Sequence, residues 1–243
     1  MPKAVRQKAR QTTDAPLQRQ AAAKPAATDR NRDPTARLRA AILSGQFLPN
    51  QRLIEVEMAE FLGVQRAHVR MALARLEQEG LVQIEPNRGA RVRVISESEA
   101  IEIAEVRSSL ETLAARMAAE RITAAGKQEL KSLIAGMREA ARNEDLLRYS
   151  AINGTFHAAI RRISAHQTTA RILENLKSQI VRFQFRAIML AGRASRSLGE
   201  HEAIADAICA GDPDAAAEAM RKHMDRVTEA LRRAIAAHGR EPY

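Results

Sequence analysis

The chain has 243 residues, 45% hydrophobic and 28% charged, which is enough for one large or two medium domains with their own cores. Aromatic residues make up only 3% and Trp is absent, whereas Ala, Leu, Arg and Glu are plentiful; this balance excludes a sheet-dominated fold and predicts a mainly α protein with an aliphatic core. The formal charge is +10, and the single cysteine, Cys209, excludes an intramolecular disulfide framework and any multi-cysteine zinc site.

Residues 1–32 show no hydrophobic period and are rich in Ala, Gln, Thr, Lys and Arg, as expected of a disordered basic arm. Residues 1–30 hold seven Lys/Arg against two Asp, and residues 31–95 hold ten Arg against seven acids, while the remainder is nearly balanced at 22 to 20. The positive excess therefore lies in the first 95 residues, the pattern of a part that meets a polyanion. No apolar run approaches the roughly 18 residues that span a bilayer, and the first twenty residues lack the apolar stretch of a secretory signal. The expectation is a cytoplasmic protein with no membrane partner.

Ordered structure is predicted from Pro34, and residues 33–95 form the first domain. A helix with Leu38, Ile42 and Leu43 on one face closes at Gly45, and Phe47-Leu48-Pro49-Asn50 reads as a turn in which Asn50 takes the left-handed conformation. A second helix from Glu55 to Leu62 stops at Gly63. A third begins near Gln65 or Arg66 and buries Val69, Leu73 and Leu76 at i, i+4, i+7 before ending at Gly80. Leu81 to Glu85, a turn through Gly89, and Ala90 to Val94 read as a small β-hairpin. Helix, helix, tight turn, helix and hairpin make a winged helix-turn-helix.

With the third helix facing inward through Val69, Leu73 and Leu76, Arg66 and Arg70 stack four apart on its outer face, near the N-terminal end where a recognition helix meets bases and phosphates. The planar guanidinium fork grips a guanine edge or a phosphate through two parallel hydrogen bonds. Arg88, Arg91 and Arg93 make the wing basic as well. Double-stranded DNA is the predicted partner.

Ser96 and Glu99 form a capping box that opens the second domain, residues 96–238, and residues 239–243 are a tail. A helix to about Ile122 is followed by amphipathic stretches at roughly 126–142, 144–163, 167–191, 195–210 and 213–237, with Asp212 and Pro213 as N-cap and first residue of the last. Six antiparallel helices over about 140 residues form a bundle able to enclose a pocket. Asn153 and His157 share a face of its third helix, His201 lies on the fifth and His223 on the sixth. Their spacing leaves two readings open: ordinary core or surface histidines, as expected of His68 and His166, or a site for a divalent Zn, Ni, Mn or Fe ion.

The stretch from "LRAAILSGQFLPN" through "GVQRAHVRMALARLEQEGLV" to "EPNRGARV" resembles the DNA-binding domain of GntR-family bacterial transcription regulators. "EVRSSLETLAARMAA", "NGTFHAAI" and "EHEAIADAICAGDPDAAAEAMRKHM" resemble the FCD ligand-binding domain of the FadR subgroup, in its shorter six-helix VanR-type form. The resemblance implies that Arg66 and Arg70 contact DNA, with Gln65 and His68 beside them on the recognition helix and Arg88 beside Gly89 on the wing, whose glycine lets the tip enter the minor groove. It implies that Asn153, His157, His201 and His223 ligate the metal, which helps hold a small carboxylate effector, and that Arg107 faces the same cavity and pairs with that carboxylate. It further implies a homodimer on a palindromic operator, acting as a repressor relieved by ligand.

The sequence departs from the family pattern at Gln65, His68 and Met71, where serine or threonine, proline or threonine, and glutamate are usual; Gln65 weakens the helix cap. Asn50 replaces a turn glycine, and Asn153 stands where many relatives have aspartate, a stronger ligand for a hard cation. Two rival readings are a metal-dependent enzyme using the histidines with Glu200 or Glu202 as base, and a ligand-independent architectural DNA-binding protein. The first is disfavoured because both glutamates, flanking His201, are expected to point away from its face. The second has no use for the large bundle.

Overall fold

The computed structural model describes residues 33–86, 88–188, 190 and 192–238. The predicted arm at 1–32 and tail at 239–243 lie outside the described residues.

Helix α1, Pro34–Leu43, opens with Asp33 as N-cap and Pro34 in the first turn, where a missing N–H costs nothing. Its inner face carries Leu38, Ala41 and Ile42. Arg37 is also buried, and its Nη1 donates to the Leu62 carbonyl at 2.7 Å, supplying a partner for the C-terminal end of α2, Glu55–Leu62. Gly63 ends α2 in the left-handed conformation, φ 66°, and the chain turns into α3, Arg66–Gln78. Val69, Ala72, Leu73 and Leu76 of α3 are buried, the stripe that the i, i+4, i+7 pattern predicts. As expected of Gln65, no side chain caps the start of α3.

The wing is larger than the predicted hairpin. Strands β2, Val82–Glu85, and β3, Gly89–Val92, pair antiparallel, and β1, Arg52–Leu53, adds to the outer edge of β3 with Leu53 opposite Ala90. Two residues are too few to leave an alternating pattern, so β1 was not legible. Phe47, predicted in a turn, is buried and packs edge to face on Phe61 with centroids 5.3 Å apart. Asn50 is left-handed as predicted, at φ 65°. Gly89 has φ +85°, and a Cβ there would lie 2.4 Å from the Leu53 carbonyl oxygen. Strand packing alone therefore requires glycine at this position, independently of any groove contact.

Six helices follow: α4 Glu97–Glu120, α5 Ala124–Arg142, α6 Leu146–Ile163, α7 Gln167–Ile188, α8 Arg193–Ala210 and α9 Pro213–His238. Four of them start at side-chain caps: Ser96 accepts from Glu99 N, Thr123 from Gly126 N, Asp145 from Arg148 N and Asp212 from Ala215 N. The main core joins Leu130, Met137, Tyr149, Phe156, Ile160, Ile204, Ile208 and Met220. Four alanines of α4, at 114, 115, 118 and 119, let its neighbours approach closely. A smaller core of Ala100, Ile103, Ala104, Ile180 and Leu231 packs α7 against α4 and α9.

The two domains touch through α7. Gln179 donates from Nε2 to the Glu79 carbonyl at the end of α3 (3.1 Å) and accepts from Arg93 Nη1 at 3.2 Å. A Cβ on Gly80 would meet Gln179 Nε2 at 2.8 Å. Arg93 also bonds Glu99 of the capping box, so Arg93, expected on the basic wing, instead ties the wing to the bundle. The reason is geometric: it lies just beyond β3, where the chain turns toward α4.

Candidate DNA-reading face and histidine cavity

Gln65, Arg66, His68 and Arg70 are all exposed on one end of α3. The side chains of Arg66 and Arg70 are 58% and 64% exposed and share one carboxylate: Glu55, the first residue of α2, accepts from Arg66 Nη2 at 3.2 Å and from Arg70 Nε at 2.9 and 3.0 Å. Partial burial acts to raise the Glu55 pKa, but bonds from Arg70 and then Arg66 outweigh it and hold the carboxyl below its ordinary range. Residues 66–76 contain no acid. On the wing, Arg91 is engaged with Glu85 (2.9 Å) and the Asn50 carbonyl (2.8 Å), bracing the sheet. Arg88 is exposed beside Gly89 and, among the described residues, makes no ion pair.

In the bundle the three predicted histidines come together. His157, His201 and His223 are buried, and their ligating atoms lie within 4.8 Å of one another. Each ring has a polar neighbour at Nδ1. Glu200 Oε2 lies 2.7 Å from that atom of His223, Glu111 Oε2 lies 3.5 Å from that of His157, and Tyr149 Oη and Ser197 Oγ lie 3.3 and 3.4 Å from that of His201. Nδ1 is thus engaged on His201 and His223, leaving their Nε2 for a ligand, whereas His157 Nδ1 itself has no hydrogen-bond partner. His201 Nε2 and Asn153 Oδ1 are both buried with no hydrogen-bond partner. Burial, followed by the neighbouring His223 and His157, pushes His201 well below the usual imidazole pKa, and burial likewise takes His223 down to about 4. Neutral His201 and His223 imidazoles, with His157 beside them and the orphaned Asn153 amide oxygen one turn from His157 on α6, fit a divalent transition-metal ion.

These groups border a cavity of about 700 Å³ between α4, α6, α7, α8 and α9, lined by Asn153, His157 and His223 and on its apolar side by Ile180, Met224 and Leu231. Arg107 lines it as predicted. It is buried, bonds Glu111 Oε1 through Nη2 at 3.3 Å, and keeps Nε and Nη1 without partners. Burial acts to raise the Glu111 pKa, but His157, Arg107 and Arg161 together hold it down at about 2.

One expectation fails. Glu200 does not point away from the cluster: it is buried, faces α9 where it holds His223, and accepts from both Arg193 Nη atoms at 3.1 Å. One residue before His201 on α8, it is turned toward the helix that packs beside it. A carboxylate committed to an imidazole and a guanidinium is a positioning group rather than a free base. Glu202 does leave the cluster and pairs with Arg138 at 2.6 Å. His68 is exposed as expected. His166 is half-buried, with Nδ1 2.9 Å from Thr169 Oγ1 and 3.3 Å from Thr169 N at the start of α7.

Glu111, Arg161 and Arg193 join the site without belonging to the residues that the sequence singles out. The first had a usable signal: Arg107 and Glu111 are four apart on α4, so an inward Arg107 brings Glu111 inward with it. Arg193 meets Glu200 only through the fold around α8, which no spacing reveals.

A winged helix-turn-helix with an exposed arginine pair, carried on a helical bundle that encloses a cavity, is the architecture of a DNA-binding transcription regulator. Residues 35–92 match the family described as bacterial regulatory proteins, gntR family, and residues 102–226 match the FCD domain. The chain is 29% identical to the HTH-type transcriptional repressor RspR of Escherichia coli over 80% of its own length and 86% of that protein. It is 30% identical to a probable D-xylose utilization operon transcriptional repressor of Paenarthrobacter nicotinovorans, over 70% and 74%. The fold is shared with E. coli McbR/YncC, with a TM-score of 0.69 and 22% identity over 82% of this chain and 95% of that one. The protein belongs to the GntR family of bacterial transcription regulators and carries an FCD domain. Its relatives are regulators, not enzymes. Among the described residues no helix is long and apolar enough to cross a membrane.

Proposed function

We propose that the protein is a cytoplasmic, homodimeric repressor whose bundle holds a divalent metal ion and a small organic acid, and whose affinity for a palindromic operator changes when the acid binds. The observation that carries this reading is a set of buried groups without hydrogen-bond partners: Asn153 Oδ1 and Arg107 Nε and Nη1 on residues that line the cavity, and His201 Nε2 in the histidine cluster that reaches it through His157 and His223. Such groups are costly to bury and ask for a ligand.

Asn153, His157, His201 and His223 would hold the ion. It would supply a Lewis-acidic position for one carboxylate oxygen of the effector. The residues do the rest. Glu200 fixes His223, Tyr149 and Ser197 orient His201, and Arg107 offers two free N–H groups to the carboxylate. Arg66 and Arg70 would contact operator bases and phosphates, with Gln65, His68 and the wing residues Arg88 and Gly89 alongside them.

Helix α7 connects the two sites. Glu174, Lys177 and Ile180 line the cavity, and Gln179 of the same helix bonds the end of the recognition helix. An acid that binds one placement of α7 better than another shifts the reading heads by its differential affinity, of order 1–3 kcal/mol in typical systems. Two of the similar proteins are named repressors, which supports repression as the sign.

The test is a thermal-shift screen of small carboxylates with and without chelator, followed by DNA titration with each hit. The expected result is stabilisation by a particular acid, lost with chelator, together with a change of at least severalfold in DNA affinity. An acid that stabilises equally after chelation would remove the metal from the reading. DNA affinity indifferent to every stabilising acid would remove the sensor.

A further inference from the structure

We infer that Met71 reads the 5-methyl group of a thymine in the operator, and so determines specificity beside the arginine pair. Across α3 the buried stripe is Val69, Ala72, Leu73 and Leu76. The middle of the opposite face is Ala67, Met71 and Ala74, at i, i+4, i+7, and all three are exposed. Arg66 and Arg70 flank this line on one side and Arg75 on the other. The two alanines keep the line shallow, and Met71 is the one long side chain on it.

Met71 is 56% exposed, although an unbranched apolar side chain gains nothing from water. From Arg66 to Leu76 its helix carries no acid, and the arginines there suit phosphates and guanine edges. The base-pair feature that matches an apolar tip in the major groove is the thymine methyl group, which forms no hydrogen bond and is recognised by apolar contact. Glu55 holds Arg66 and Arg70 from the side of α2.

This inference rests on α3 lying in the major groove and is independent of the metal and effector. Full-length protein is used to enrich duplexes from a randomised pool, and each thymine of the enriched half-site is then replaced by deoxyuridine, which preserves every hydrogen-bonding edge and lacks only the methyl. Binding of wild type, Met71→Ala, Met71→Gln and Arg66→Ala is measured on each duplex. The expected result is one position per half-site where methyl removal weakens wild-type binding about fourfold, the worth of one buried methyl-sized group, with no further loss in either Met71 variant. Equal losses in wild type and both Met71 variants, or no sensitive thymine, would overturn the assignment. Wild-type binding by Arg66→Ala would instead overturn the docking of α3, and Met71 with it.

Discussion

In the reading head Arg66 and Arg70 are more than half exposed and share one carboxylate, Glu55, whereas in the bundle Arg107, Arg161 and Arg193 are buried among Glu111, Glu174 and Glu200. The same residue type serves opposite ends. An exposed, loosely paired guanidinium costs little to hold and is ready to exchange Glu55 for a phosphate or a base. A buried one must be matched by charge, and the matching anions also orient the histidines. Projecting cations outward suits a polymeric partner, and enclosing partly satisfied ones suits the small ligand proposed for the bundle.

The contrast is broken most strongly at Glu200. Glu200→Ala leaves Arg193 buried without its carboxylate and His223 without its hydrogen-bond partner. A loss of about 3–5 kcal/mol in unfolding free energy is expected, measured by urea denaturation of metal-free protein. A change under about 1 kcal/mol, the range of exposed pairs, would mean that solvent reaches the pair and that the bundle is no different from the reading head.

At the reading head the expectation reverses: Arg66→Ala leaves stability nearly unchanged and costs specific DNA binding about 1–3 kcal/mol. Equal losses on selected and random duplexes would assign Arg66 to phosphate contact alone. The smallest effect falls where the regions meet. Gln179→Ala removes the bonds to Glu79 and Arg93 and should change the response of DNA binding to effector by about 0.5–2 kcal/mol while leaving effector affinity of the isolated protein close to wild type. An unaltered response would move the coupling path away from α7.

The elements legible in sequence were those written in local periods and punctuation. The stripe of α3, the Ser96 and Asp212 caps and the left-handed Asn50 all follow from residues within one or two turns of each other. The convergence of His157, His201 and His223 was readable only through family resemblance, because nothing in their spacing brings three helices together. The inward turn of Glu200 is hidden from the sequence for the same reason. A helical wheel places it beside His201 but cannot tell that α9 packs on that side and presents His223 to it. Arg93 was assigned to the wing by its position after a basic strand, and the α7 contact that claims it lies 86 residues further along the chain.

The central claim, a metal-holding sensor site in the bundle, is tested most directly by elemental analysis of purified full-length wild type and His201→Ala after equilibration with Zn²⁺ and removal of unbound ion. The account predicts one ion per wild-type chain and none in the variant. Metal-free wild type, or equal loading of both proteins, would contradict it.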